Sequence, residues 1–293
     1  MVESRTVRLR PTWQRMVPIG LLLAAAAPAA AAASPRSFGG FEIPESAVYD
    51  ESRDAYLVAS MGDGNAGFIS IVNPDGTLRQ RQWLAHGKDG VELVRPFGSE
   101  IHNGILYVAD TPFVRSFDVA SGKPIRSVRV EGITVLNDVA IAADGTVYVT
   151  DTGDRSKSVA GGIHRIAPDG TVSVFVSGGE AANPNGIVVD HAGNIVNVAM
   201  ASPRLFVRAP DGTLLQSIDL EHERNDGIVV LEDGSFIVSS LGGATLLRVG
   251  TDGGVSPLAD VDMPASIGFD TKRRVIVVPQ LRQNSLTLVP LPR

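Results

Sequence analysis

The sequence contains no cysteine. Disulfides, thiolate metal sites and a lipid-anchored lipoprotein form are therefore excluded, and stability must come from packing, alone or together with a bound ion. Positive charge is also short: 26 Lys and Arg against 32 Asp and Glu give a formal charge of −6. Such a chain is a poor partner for nucleic-acid phosphates or for anionic lipid, and a small molecule or a cation suits it better. No segment keeps a 3.6-residue apolar period, which argues against an α/β alternation. There is no G-x-S-x-G elbow, no H-E-x-x-H pair and no Gly-rich loop leading from a strand into a helix. Serine-hydrolase, zincin and nucleotide-binding readings thus have no motif behind them. The five histidines, His86, His102, His164, His191 and His222, fall in turns, polar connections or a strand interior. None reads as a catalytic base or a ligand.

What is abundant points to strands and tight turns. Hydrophobic residues make up 44% of the chain, with 31 Gly and 18 Pro, which suits an all-β domain with a real core. The amino terminus differs. Arg5, Arg8, Arg10 and Arg15 precede an apolar run from Met16 to Ala27, and Ala31-Ala32-Ala33 offers an A-x-A cleavage site before Ser34. Residues 1–33 are read as an export signal, and residues 34–293 as the mature domain, periplasmic or secreted and monomeric. The alternative is an uncleaved anchor, but the apolar core is about half the ~20 residues a span needs, and Pro18 and Pro28 interrupt it. No Arg pair supports a twin-arginine route. Removal of the segment takes four Arg and one Glu with it, so the formal charge moves from −6 to −9.

A unit of two short strands and a Gly-containing turn recurs six times. First strands begin at Glu45, Gly98, Asn137, Asn185, Asp226 and Ala265, at spacings of 53, 39, 48, 41 and 39 residues. A four-stranded propeller blade occupies ~40–45 residues. Second strands follow as AYLVAS, ILYVAD, TVYVTD, NIVNVAM, SFIVSS and VIVVPQ. Asp144-Gly145 and Asp233-Gly234 form first hairpins, and Asn73-Pro74-Asp75-Gly76, Pro168-Asp169-Gly170 and Pro210-Asp211-Gly212 join the outer strands, since Pro and Gly preset the dihedrals these turns need. The sixth unit ends one strand short, and residues 37–43 can supply the missing one. The reading is a six-bladed β-propeller of four-stranded blades closed by an N-terminal strand; a seven-bladed ring or a sandwich leaves the spacing unexplained.

In a propeller the innermost strands start around the central channel. Glu45, Asn137, Asn185 and Asp226 therefore converge, while Gly98 and Ala265 are silent. Two carboxylates and two amides are hard oxygen donors, and they suit Ca²⁺ first, with Mg²⁺, Mn²⁺ or Zn²⁺ as alternatives. The competing reading is that Asn185-Gly186 and Asp226-Gly227 are ordinary turn pairs. Glu45 is no turn former, and the shared phase favours the site.

The segments ESAVYD, LND, PNGIVVD and NDGIVV, with their order Glu, Asn, Asn, Asp, resemble those of the senescence-marker-protein/gluconolactonase family, which includes regucalcin. More distantly they resemble paraoxonases and the squid-type phosphotriesterase. The resemblance spans the mature chain. It implies a six-bladed propeller with one divalent ion, hydrolysing lactones or related esters. It further implies Glu45, Asn185 and Asp226 as direct ligands, and Asn137 as a ligand, a water-mediated ligand or a substrate contact. The general base is Asp226 or water activated on the metal. Two positions depart from the pattern: Val135 stands where sugar-lactone members carry Arg, and Phe97 where paraoxonase-like members carry His.

Second-strand ends share the face of the axial residues, which brings in Asp110 and Asp151. Asp151, in the blade of Asn137, is a candidate acid or base; Asp110, Phe97 and Asn137 are candidate substrate contacts. The alternative for both aspartates is a strand-end cap. The connections 86–95 and 153–161 lie where propeller loops gate a site or merely decorate the surface. Two functions follow: an exported, metal-dependent hydrolase of lactones or esters, or a non-catalytic NHL-like binding propeller with a structural ion.

Overall fold

A computed structural model of the chain describes Met1, residues 34–64 and residues 66–292. Residues 2–33, within the segment read as an export signal, lie outside the described residues. The strands form six antiparallel sheets of four, each pairing neighbours in sequence order except where the chain ends meet. This is the predicted six-bladed propeller. Its last blade is completed by Arg36–Gly39, which pairs antiparallel with Ser285–Pro290 in the register Arg36↔Leu288 to Gly39↔Ser285. A 2.6 Å hydrogen bond between the hydroxyls of Ser37 and Thr287 links the same two strands.

The turn chemistry follows the sequence closely. In the turn after Phe68–Val72, Gly76 adopts φ +91°, a conformation that costs other residues a Cβ clash. The Asp75 carboxylate accepts the N–H of Thr77 at 2.9 Å. The same aspartate-to-second-residue bond recurs at Asp144, Asp169, Asp211 and Asp233. One local device thus recurs in five of the hairpins.

The core is a ring rather than a single mass. Six apolar clusters fill the spaces between adjacent blades. Tyr56 and Val58 of the first blade meet Val277 and Leu286 of the last, and Tyr148 and Ile163 of the third meet Ile187 and Ile195 of the fourth. Second strands such as Ala55–Ser60 and Phe236–Ser240 are buried throughout. Outermost strands such as Pro124–Arg129 and Leu214–Asp219 are largely exposed. Arg79 and Arg81, and likewise Arg126 and Arg129, place charge on those edges, which discourages pairing with a second chain.

The innermost strands, Pro44–Asp50, Ser99–His102, Leu136–Ile141, Pro184–Val189, Asn225–Val230 and Gly268–Asp270, line the axis. They surround a cavity of about 330 Å³ that holds Glu100, Asp138, Ile187 and Ile228 among its walls.

Candidate metal centre

Each of the four predicted donors lies where its strand departs from regular pairing. Pro44 pairs with Ser60, but Ser46 pairs with Ala59, so Glu45 is the extra residue. The ladder slips likewise between Leu136 and Val139, between Pro184 and Ile187, and between Asn225 and Ile228. Asn137, Asn185 and Asp226 sit inside those slips. A β-bulge frees a residue from the two-residue alternation and re-aims its side chain, here toward the axis. Gly98 and Ala265 hold the matching places in the other two blades, as expected from the spacing, and offer no donor.

Glycine allows the bulges to crowd together. A Cβ on Gly186 would lie 2.9 Å from Cα of Gly227, and one on Gly227 would lie 2.5 Å from the Ile267 nitrogen. A Cβ on Gly98 would lie 2.7 Å from Cα of Asp138. Neither Gly186 nor Gly227 has a positive φ. Asn185-Gly186 and Asp226-Gly227 are thus not turns, and their glycines are needed for close backbone approach.

A ring of interblade hydrogen bonds fixes this layer. Ser46 Oγ donates to the Phe97 carbonyl at 2.7 Å, and Gly98 N–H donates to the Asn137 carbonyl at 2.6 Å. Thr150 Oγ1 accepts the Asp138 N–H at 2.9 Å and donates to the Asn185 carbonyl at 2.7 Å. Ser239 Oγ does the same one blade pair further on, accepting Gly227 N–H and donating to the Ala265 carbonyl, both at 2.7 Å. The Ser266 N–H donates to the Glu45 carbonyl at 2.9 Å. The carbonyls of Glu45, Asn137 and Asn185 are therefore consumed, which leaves side-chain oxygens as these residues' donors to the axis.

Those oxygens have no protein partner. Glu45 Oε2, Asn137 Oδ1, Asn185 Oδ1 and Asp226 Oδ1 are all buried and without a hydrogen bond. An unsatisfied buried acceptor costs about 1–3 kcal/mol, and more when charged. Four such atoms from four blades at one level match the donor set of a hard divalent cation. Among the described residues no cluster of three or more His, Cys, Asp or Glu could hold a metal; here two of the four donors are amides.

Electrostatics point the same way. Burial pushes the Glu45 carboxyl well above the ordinary range, Asp226 and Asp138 add to the rise, and Arg95 opposes it. Burial likewise raises Asp226, with Asp138 adding and Arg224 opposing. Asp138 sits behind them, raised by burial to about 7 but held by N–H groups of Val139 and Ile187 and by the Ser266 hydroxyl. Two adjacent carboxylates in a dry site repel each other until a cation joins them.

Asp110 and Asp151 are engaged elsewhere. Asp151 accepts N–H groups from Thr134, Val135 and Gly153 at 2.9 to 3.1 Å. Asp110 accepts the Arg95 N–H at 2.7 Å and the Arg115 Nε–H at 2.6 Å. Both do the capping that was the alternative to a reactive role. Phe97 is half-buried beside the bulge layer, with the Arg95 guanidinium 5.4 Å from its ring centre. Sequence reasoning missed Arg95, Arg224, Asp138 and the hydroxyl pegs Thr150 and Ser239. Asp138 was within reach, since it directly follows a donor; Arg95 lies in the 86–95 connection, whose role spacing does not reveal.

The profile of the SMP-30/Gluconolactonase/LRE-like region matches residues 43–271, which includes all four donors. No curated protein matches the chain significantly. Among solved structures, a gluconolactonase from Xanthomonas campestris is similar at 16% identity and a TM-score of 0.67, covering 88% of this chain and 90% of its own. A calcium-binding regucalcin from Agrobacterium tumefaciens is similar at 16% identity and a TM-score of 0.64, covering 87% and 95%. Virginiamycin B lyase from Staphylococcus aureus is similar at 14% identity and a TM-score of 0.65, covering 88% and 99%. At such identities the likeness shows a common fold, and a fold shared by a lactonase and a lyase leaves the chemistry to the site.

Proposed function

The chain belongs to the SMP-30/gluconolactonase/LRE-like family, and from that premise we propose that it is an exported, divalent-cation-dependent hydrolase of lactones or related esters. The observation that carries this reading is the set of buried, partnerless oxygens on Glu45, Asn137, Asn185 and Asp226. Calcium is the ion these donors suit best. When bound, it supplies Lewis acidity, polarising a carbonyl and making water more acidic.

The chain's own residues supply the rest. Glu45 and Asp226 provide the negative charge that retains the cation. Asn137 and Asn185 complete the donor set and, being neutral, avoid further repulsion. Asp226 is the group assigned to take the proton of the attacking water. The interblade ring at Ser46, Thr150 and Ser239 holds these groups in place before substrate arrives, so little reorganisation is needed during reaction.

Export rests on the Arg-led apolar segment ending at Ala33, and mass spectrometry of the mature protein tests it by whether the chain starts at Ser34.

The activity test is a lactone and ester panel assayed with calcium and with chelator. Glu45→Gln and Asp226→Asn should each reduce hydrolysis by about 100-fold or more, in line with several kcal/mol of cation-derived stabilisation. Unchanged hydrolysis in both variants would overturn the reading. Calcium binding without turnover would favour a binding propeller with a structural ion.

A further inference from the structure

Two exposed arginines, Arg95 and Arg224, lie within electrostatic reach of Glu45 and Asp226 respectively. Arg95 is exposed. Its one side-chain hydrogen bond among the described residues runs from Nε to the Met61 sulfur at 3.2 Å, a weak acceptor. The guanidinium lies over the Phe97 ring at 5.4 Å, and the Phe97 carbonyl is held by Ser46, the neighbour of Glu45. The base of the side chain is clamped as well. Its N–H is bound at 2.7 Å by Asp110, a buried carboxylate paired with Arg115. Arg224 is also exposed, stands two residues before Asp226, and has its N–H on the Met200 carbonyl. Neither arginine forms an ion pair among the described residues.

The charge count decides what this pair is for. A divalent cation neutralises Glu45 and Asp226, while the charge of Asp138 is taken up by N–H and O–H donors. Arg95 and Arg224 then remain as exposed positive charge near Glu45 and Asp226. Arginine's planar fork binds oxyanions through paired N–H donors.

We propose that Arg95 and Arg224 are specificity residues that recognise an anionic oxygen group on the substrate, carboxylate or phosphate, so that the preferred lactones are charged ones. This deepens the hydrolase reading and rests on it for the word lactone, but recognition of the anion is a binding property and is measured without turnover.

The test is calorimetric titration of the full, calcium-supplemented protein with glucarate, sorbitol 6-phosphate and neutral sorbitol. The wild type should bind at least one of the two anions more tightly than sorbitol, and which one identifies carboxylate or phosphate as the group. Arg95→Gln and Arg224→Gln should each weaken that anion about tenfold or more, and Arg95→Lys should recover part of the loss. Added salt should weaken the wild type more than the variants. Equal affinity for all three probes, or anion binding unchanged in both glutamine variants, would overturn the proposal. Absence of lactone turnover with intact, arginine-dependent anion binding would instead sink the hydrolase reading alone.

Discussion

Replacing Asp226 by asparagine should shift stability in opposite directions with and without calcium. In the metal-free protein burial raises the pKa of this carboxyl, Asp138 adds to the rise and Arg224 opposes it. A carboxyl whose folded pKa lies above its ordinary 3.8 favours the folded state at low pH. That contribution is lost as pH rises through the folded value. At pH 8 the wild type must therefore keep this carboxyl protonated against the solution pH or bury its charge, a cost that asparagine escapes, a difference of about 1–3 kcal/mol. For a domain of this size each kcal/mol moves Tm by roughly 2–4 °C. Asp226→Asn should melt about 2–12 °C above wild type in chelator at pH 8, and close to it at pH 4. With calcium at about 100 times its Kd the wild type gains ~2.7 kcal/mol, whereas the variant has lost a charged donor and gains little. The order should reverse. Thermal melts by circular dichroism at both pH values, with and without calcium, give the result. A variant less stable than wild type under every condition would refute the claim that these oxygens form an uncompensated cation site.

Other perturbations test the supporting structure. Gly227→Ala should destabilise by about 1–3 kcal/mol through overpacking, because its Cβ meets Ser266 Cα at 2.7 Å; the denaturation midpoint and the calcium affinity should fall together. Burial raises the Glu100 carboxyl from 4.5 to about 8, so the wild type should lose stability between those pH values and Glu100→Gln should flatten the profile, an effect of a few kcal/mol in urea titrations. Arg115→Met strands the buried Asp110 carboxylate, and a loss of about 3–5 kcal/mol is expected. Adding Asp110→Asn should restore part of it.

The fold was legible because its signals are local and repeated. Asp-Gly turns, β-branched strand pairs and a near-constant spacing are read one unit at a time, and the short last unit announced the closing strand at residues 36–39. The shared bulge position of Glu45, Asn137, Asn185 and Asp226 was legible for the same reason, since repeat phase transfers directly to position around an axis. The Asn-Gly and Asp-Gly pairs were ambiguous, because a glycine allowing close approach and a glycine with positive φ look alike in sequence. Arg95 was not legible. Its loop is fixed by N–H bonds to Asp110, a contact that the fold makes and that no spacing reveals. Asp110 and Asp151 show the converse: at second-strand ends, they spend their oxygens on backbone N–H groups and, for Asp110, on Arg115, which only coordinates reveal.

The most direct test of the central claim is equilibrium dialysis of the purified protein against calcium, followed by metal analysis. One tightly held ion per wild-type chain is expected, and none in the Glu45→Gln/Asp226→Asn double variant. A wild type that retains no divalent ion, or a double variant that retains it equally well, would contradict it.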